Sequence, residues 1–356
     1  MQTTYKVTYA PFTLQFKQPA KTSRDTLLYK KTWLLKITDI FSGISGIGEC
    51  STISGLSIDD ENGFEDLFKK VAIEIETNNS LSIHTDLNSF PAIKFGLEMA
   101  VKDLENGGNF LLFDTDFTRG EGAIPVNGLV WMADLATMKS QIIRKATEGF
   151  RCIKLKIGTY NFDDELTLIK FIRDEYGESI EIRLDANGAY TFEQAMDHLH
   201  KLQPYHIHSI EQPIQTGQWD LMASLCEKTP IPIALDEELI GISGIRNKIS
   251  MLETIKPQYI ILKPSMIGGM KEADEWINMA NERKVKWWTT SALESNIGLT
   301  GIAQWVSQYK PVLAQGLGIG TLYLNNFDLP VVIEKGFLRY NTAHQWGLSK
   351  IKWTSL

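Results

Sequence analysis

A parallel (β/α) barrel joined to an α+β domain is the fold the sequence predicts, and three observations predict it. From about residue 124 onward, short apolar runs alternate with amphipathic helical stretches eight times, at about 25 to 30 residues per unit. Five successive runs end in a polar or charged residue at the same place in the unit. The first ~120 residues lack this period and mix strand and helix signals.

In chain order, residues 5–16 and 32–38 read as strands, and 43–49 carries glycines at a turn spacing. Helical periodicity follows at 61–77 and 92–105. The second stretch stops at Asn106-Gly107-Gly108, residues that readily adopt the backbone that ends a helix. This α+β segment is the expected capping domain, residues 1–122. The barrel is expected over 123–321, with apolar runs at 124–131, 152–157, 181–185, 207–211, 231–236, 259–263, 286–291 and 312–316. Helices are expected between them at 133–148, 162–176, 191–202, 245–255, 269–283 and 297–308. A doubly wound open sheet is the competing architecture. It would carry a glycine-rich phosphate loop after its first strand, and Gly128-Leu129-Val130-Trp131 is not one. Residues 322–356 are too few for another unit and are expected to pack on the capping domain.

The 356 residues are 43% apolar and 22% charged, ordinary for a soluble protein with a sizeable core. The net charge of −7 is spread along the chain without a basic run, so nucleic acid is not an expected partner. The N-terminus lacks the unbroken apolar stretch of a signal peptide, and no window approaches ~20 apolar residues, so no membrane partner is expected. Cys50, Cys152 and Cys226 are odd in number and widely spaced, and read as buried thiols of a cytoplasmic protein. Oligomeric state stays open.

The charged strand ends carry the chemistry. Strand two offers Lys154 and Lys156, strand three Asp185, strand four Glu211, strand five Asp236 and strand six Lys263. From Lys156 onward they are 29, 26, 25 and 27 residues apart, one barrel unit each. The C-terminal strand ends form the mouth of a barrel, so this period converges five strands on one point. Residues at i and i+2 share a face, which sends Lys154 and Lys156 inward together, and likewise Arg183, Asp185 and Asn187.

Three carboxylates facing one another in a confined pocket cannot all stay ionised without a cation. A hard divalent ion with oxygen ligands, Mg²⁺ with Mn²⁺ as a substitute, suits Asp185, Glu211 and Asp236 and leaves positions for a substrate. The absence of His and Cys at these strand ends argues against zinc. His206-x-His208 enters strand four at the far end and reads as structural. Trp287-Trp288 reads as core packing. A lysine acting as base needs its pKa brought from about 10.4 toward about 7–8, and both a neighbouring ammonium and a divalent cation push it that way. A lysine beside Mg²⁺ resembles the enolase-superfamily pairing, and that resemblance implies a small-molecule carboxylate ligand that loses the proton beside its carboxyl group.

The motif set Lys154-x-Lys156, Arg183-Leu-Asp185-Ala-Asn187, Ser209-Ile-Glu211-Gln-Pro213, Ala234-Leu-Asp236-Glu237 and Leu262-Lys263-Pro264 resembles the enolase superfamily, in its muconate-lactonising subgroup. The resemblance covers essentially the whole chain and implies a (β/α)7β barrel of the TIM type, with a capping domain built from both ends. Three further segments, 117–131, 291–299 and 315–321, make the chain similar to the o-succinylbenzoate synthase family of that subgroup. This resemblance implies Asp185, Glu211 and Asp236 as metal ligands, Lys156 as the base, and Lys263 facing it across the substrate. It also implies that Ser291 and Gly316 contact a substrate carboxylate and that Arg183 supports the site from behind. The implied reaction, part of menaquinone biosynthesis, eliminates water from a cyclohexadiene carboxylate to give an aromatic ring.

Dipeptide epimerases of the same subgroup are the nearest alternative. They carry an Asp-x-Asp motif on strand eight, where this chain has Gly316-Leu317-Gly318. An N-succinylamino acid racemase would share the same residues. A non-catalytic binding barrel would have lost a ligand or a lysine, and all are present. Arg24, in the loop Lys21-Thr22-Ser23-Arg24, sits where the capping domain closes over the barrel and is a candidate to meet a carboxylate.

Overall fold

A computed structural model of the chain describes residues 4–21, 26–60, 63–318, 322–344 and 346–355. Strands β1 (Tyr5–Lys21), β2 (Thr26–Asp39) and β3 (Ser45–Ser51) form an antiparallel meander. Helices α1 (Phe64–Asn78) and α2 (Pro91–Glu105) cover one face of it. Val7, Leu35 and Ile37 of the sheet pack against Phe68, Ile75, Ile93 and Leu97 of the helices. The glycines at 43–49 do two jobs, only one of them a turn. Gly43 turns the chain at φ +72°, whereas Gly46 and Gly48 lie inside β3. A Cβ on Gly48 would overlap the Gly96 carbonyl of α2, and one on Gly46 that of Ala100, so helix and strand touch backbone to backbone.

The barrel opens with β4 (Ala123–Pro125) and β5 (Gly128–Val130), followed by α3 (Leu135–Thr147). The repeats are β6 (Cys152–Lys156) with α4 (Phe162–Tyr176), β7 (Glu181–Asp185) with α5 (Phe192–Leu202), and β8 (Ser209–Glu211) with α6 (Trp219–Lys228). Next come β9 (Ile233–Leu235) with α7 (Ile245–Ile255), and β10 (Tyr259–Leu262) with the short α8 (Pro264–Ile267) and α9 (Met270–Glu282). Last are β11 (Lys286–Thr289) and α10 (Asn296–Ser307). Strands β5 to β11 lie parallel and in chain order. Parallel bridges Val126↔Gln315 and Thr290↔Gly316 join the two edges, so Gln315-Gly316 stands in the eighth strand position. The sequence-predicted (β/α)7β barrel with a sheet-rich cap is the architecture found.

Strand alternation explains the two cores. Ile153, Leu155, Ile182, Leu184, Ile233, Leu235, Ile260 and Leu262 are buried on the helix side. Ala234, Tyr259, Ile261 and Trp288 fill the barrel floor, with the Arg183 guanidinium 4.3 Å over the Trp288 ring. Trp287 packs outside, edge-on to Tyr309. Residues after 321 divide between two places. β12 (Val331–Glu334) and β13 (Phe337–Tyr340) pair with β4 at the barrel entrance, while Leu322–Leu324, bridged at Phe16↔Tyr323, and β14 (Thr354–Ser355) pair with β1 of the cap. Cys50 and Cys152 are buried and Cys226 half-buried, all three as free thiols.

Two cap carboxylates sit at barrel helix N-termini, where backbone N–H groups lack intrahelical partners. Glu49 accepts from the Ser295 and Gly298 amides at 2.9 and 2.8 Å, at the start of α10. Glu98 accepts from the Met270 amide at 2.5 Å, at the start of α9. Burial outweighs those N–H bonds and the nearby Lys271 and Lys94, and pushes the Glu98 carboxyl up to about 7. Because the folded value is raised, this group's contribution to stability is full below the ordinary carboxylate range and is lost as pH rises through about 7. The stability of the natural chain minus that of Glu98→Gln should therefore fall between pH 5 and pH 8 in denaturant titrations. A difference that grows with pH contradicts this.

Candidate active site

The strand ends converge as the period requires. Lys156 is the direct register partner of Asp185, and Asp185 of Glu211, on the neighbouring strands β6, β7 and β8. Lys154 bridges two carboxylates, lying 2.8 Å from Asp185 Oδ2 and pairing with Glu211 Oε2. Lys156 donates to Asp185 Oδ2 and to Asn187 Oδ1, both at 2.6 Å. Lys263 pairs with Asp236 Oδ2. The Asn187 amide then donates to Glu237 Oε1 at 2.9 Å. Asp185, Glu211 and Asp236 are all but fully buried.

Electrostatics follow from that interlock. Burial alone would raise Asp185, but the Lys154 and Lys156 ammonium groups override it and hold the carboxyl well below the ordinary range. Burial would also raise Asp236, yet Lys263 keeps it low. Glu211 goes the other way, lifted well above the usual value by burial and then by the charge of Asp185. Two of the lysines are held high by the carboxylates around them. Burial pulls Lys154 down, but Asp185, Glu211 and Asp236 together raise it; Lys263 is raised in the same way by Asp236, Glu237 and Glu211.

Among the described residues, no three His, Cys, Asp or Glu side chains stand ready to hold a metal ion as they are placed. Lysines occupy the carboxylates instead. The donor set nevertheless fits a hard divalent cation. All its atoms are carboxylate oxygens, and Glu211 Oε1 is buried with no hydrogen-bond partner. An ion there would meet Glu211 Oε1, the oxygen left without a partner.

A cavity of about 340 Å³ opens over this cluster. Lys154, Lys156, Asn187, Glu237 and Lys263 form its charged side; Leu129 and Trp131 of β5 and the adjoining turn form an apolar side, and Leu27, Ile53 and Leu56 of the cap cover it. Ser291 and Gly316 both line it. The Ser291 hydroxyl donates to Glu294 and accepts from the Leu293 amide at 3.0 Å, so its proton is committed within the protein. A Cβ on Gly316 would overlap the Thr290 side chain. Gly316→Ala should therefore displace Thr290 and lower kcat/KM by up to about 10²-fold, the cost a 1 Å misplacement can carry; unchanged kinetics would show that the wall yields.

Other candidates lie further away. Arg183 is buried behind the cluster, donating at 2.7 Å to Glu181 and to the Ala314 carbonyl. His208 packs tilted against Tyr259 and edge-on to Trp288 and bonds Ser209 at 2.9 Å; burial, then Arg183, pushes it down to about 4, a neutral structural imidazole. His206 is exposed. Arg24 lies outside the described residues. Glu237 and Glu294 are the groups sequence reasoning missed. After Asp236 a 3-10 turn, Glu237–Leu239, breaks the strand's alternation and returns Glu237 to the cavity. Glu294 receives the hydroxyls of Ser265 and Ser291 and so ties the segment after Lys263 to the segment after β11.

Fold and site together define a class: capped (β/α)7β barrels with lysines and carboxylates interlocked at the C-terminal strand ends. A family model described as "Enolase C-terminal domain-like" matches residues 137–349. The chain is 44% identical to the o-succinylbenzoate synthase of Desulfotalea psychrophila, over 94% of this chain and 98% of that one. The crystal structure of MenC from the same organism superposes with a TM-score of 0.82 at 41% identity, covering 94% of this chain and 99% of that one. A dipeptide epimerase from Cytophaga hutchinsonii, solved with Mg and D-Ala-L-Val, shares the fold at a TM-score of 0.80 and 20% identity, covering 99% of each chain. The chain belongs to the enolase superfamily and, within it, to the o-succinylbenzoate synthase family.

Proposed function

We propose that this chain is a lyase that removes water from 2-succinyl-6-hydroxy-2,4-cyclohexadiene-1-carboxylate to give 2-succinylbenzoate, the step the resemblance places in menaquinone biosynthesis. The observation that carries the reading is 44% identity to an o-succinylbenzoate synthase across nearly the full length of both chains. The site agrees with it. Mg²⁺ held by Asp185, Glu211 and Asp236 would supply positive charge at the substrate's ring carboxylate. Lys156, on the cavity side of β6, takes the α-proton. The C–O bond to the ring hydroxyl breaks, a ring double bond forms, and Lys156 returns the proton to the departing hydroxide, so water is the only by-product. Lys263 keeps its charge, paired with Asp236, and stabilises the anion from the opposite side. Asn187 orients Lys156 and is itself fixed by Glu237. Aromatisation drives the step, leaving the protein mainly positioning and electrostatics to provide.

Strand eight separates this reading from epimerisation. An epimerase acting on dipeptides needs an anion for the substrate ammonium, and Gly316-Leu317-Gly318 offers none. Side-by-side assays should show dehydration far faster than epimerisation of Ala-Glu; faster epimerisation would reverse the assignment. No helix among the described residues is long and apolar enough to cross a membrane; the cytoplasmic location is part of the proposal.

A further inference from the structure

The cavity wall beside strand eight holds polar groups that the chemistry above leaves unused. Period-two alternation turns Asn127, Leu129 and Trp131 inward, and all three line the cavity, while Val130 between them is buried in the outer core. Asn127 is only 4% exposed, yet its Oδ1 is buried without a hydrogen-bond partner. On the other side of Gln315-Gly316, Thr290 also lines the cavity, and its Oγ1 is likewise buried and partnerless. Gly316, bridged to Thr290, has no Cβ, and the Thr290 side chain takes the place one would fill.

A buried polar group without a partner destabilises a folded chain, and most such groups find one. Two of them on one wall of a cavity mark a place where a ligand completes the bonding. Both groups are neutral. The threonine hydroxyl is a donor, and the asparagine amide presents NH₂ to the cavity after a half-turn that no bond to its Oδ1 opposes. Paired donors suit an acceptor oxygen that lies away from the charged end of the site.

We propose that Asn127 and Thr290 form a neutral polar subsite that binds a carbonyl-type oxygen of the substrate's side arm, and so select which cyclic carboxylates the site accepts. This rests on the dehydratase reading, in which the arm is a succinyl group with a ketone and a terminal carboxylate. Both offer the same kind of acceptor, and two product analogues tell them apart. One, 2-butanoylbenzoate, keeps the ketone; the other, 2-(3-carboxypropyl)benzoate, keeps the terminal carboxylate.

The test uses the full chain with Mg²⁺ and the variants Asn127→Leu and Thr290→Val, which keep approximate volume and remove the hydrogen-bonding groups. The expected result is an unfolding midpoint that stays level or rises in the ligand-free variants. Each variant should bind 2-succinylbenzoate about tenfold or more weakly, with KM for the substrate rising alongside and kcat changing less. The analogue lacking the recognised oxygen should bind natural chain and variants alike, which identifies that oxygen. Variants that bind 2-succinylbenzoate as tightly as the natural chain, or that lose affinity only with a lowered midpoint, overturn the subsite. A natural chain that neither forms nor binds 2-succinylbenzoate overturns the dehydratase reading itself, and the subsite with it.

Discussion

Lys156→Ala should leave essentially no dehydration, a loss of at least about 10⁴-fold in kcat, because one ammonium serves as base and then as acid. The fold should survive the change. Asp185 keeps Lys154 at 2.8 Å when Lys156 is gone, so no buried charge is left unpaired. Lys263 should behave differently. If it acts by charge alone, Lys263→Arg keeps the charge in a displaced position and retains more activity than Lys263→Ala. Equal and complete loss in both variants would assign Lys263 a proton-transfer role. A Lys156→Ala protein that still dehydrates removes the base assignment altogether. Single-turnover product formation measures both effects without interference from product release.

Loss of any carboxylate of the cluster should be nearly as severe. Asp185→Asn, Glu211→Gln and Asp236→Asn each keep shape while removing charge, and each should cost about 10³-fold or more in kcat. The amides are the better probes because alanine would do more than remove a ligand. Lys263 has its ion pair with Asp236, and truncating that residue strands a buried ammonium, which is strongly destabilising. Glu211→Gln carries the cleanest interpretation. Its Oε1 has no hydrogen-bond partner, and Lys154, which pairs with its Oε2, keeps Asp185 at 2.8 Å when the charge goes, while a bound cation would lose a ligand. Circular dichroism melts alongside the kinetics separate the two effects. Activity of Glu211→Gln within a few-fold of the natural chain would take this residue out of the metal site.

The barrel was legible because its repeat is imposed by the backbone. A strand, a turn and a helix take a nearly fixed number of residues, so charged strand ends recur at that interval, and Lys156, Asp185, Glu211, Asp236 and Lys263 do meet at one cavity mouth. Beyond each strand end that logic stops. Glu237 enters the cavity through a 3-10 turn, and Glu294 reaches Ser265 and Ser291 across two loops, positions that no periodicity encodes. The cap was less legible for a similar reason. β1 runs to Lys21, past the stretch read as strand, because a register irregularity between Gln15 and Ala20 lets the pairing with β2 resume. Gly46 and Gly48 looked like turn residues, and only the proximity of α2 shows that strand packing requires them. Which lysine pairs with which carboxylate was not legible either, because the strand period fixes which groups meet and not which pairs touch. Direct contact with carboxylates outweighs both burial and like-charge repulsion for Lys154 and Lys263.

The most direct test of a metal-dependent dehydratase is one rate measured twice on the same protein. Full-length chain treated with excess chelator and then desalted should form no detectable 2-succinylbenzoate from the cyclohexadiene substrate. Adding Mg²⁺ back should restore the rate, with Mn²⁺ as a working substitute. Undiminished product formation in excess chelator would contradict the account at its centre.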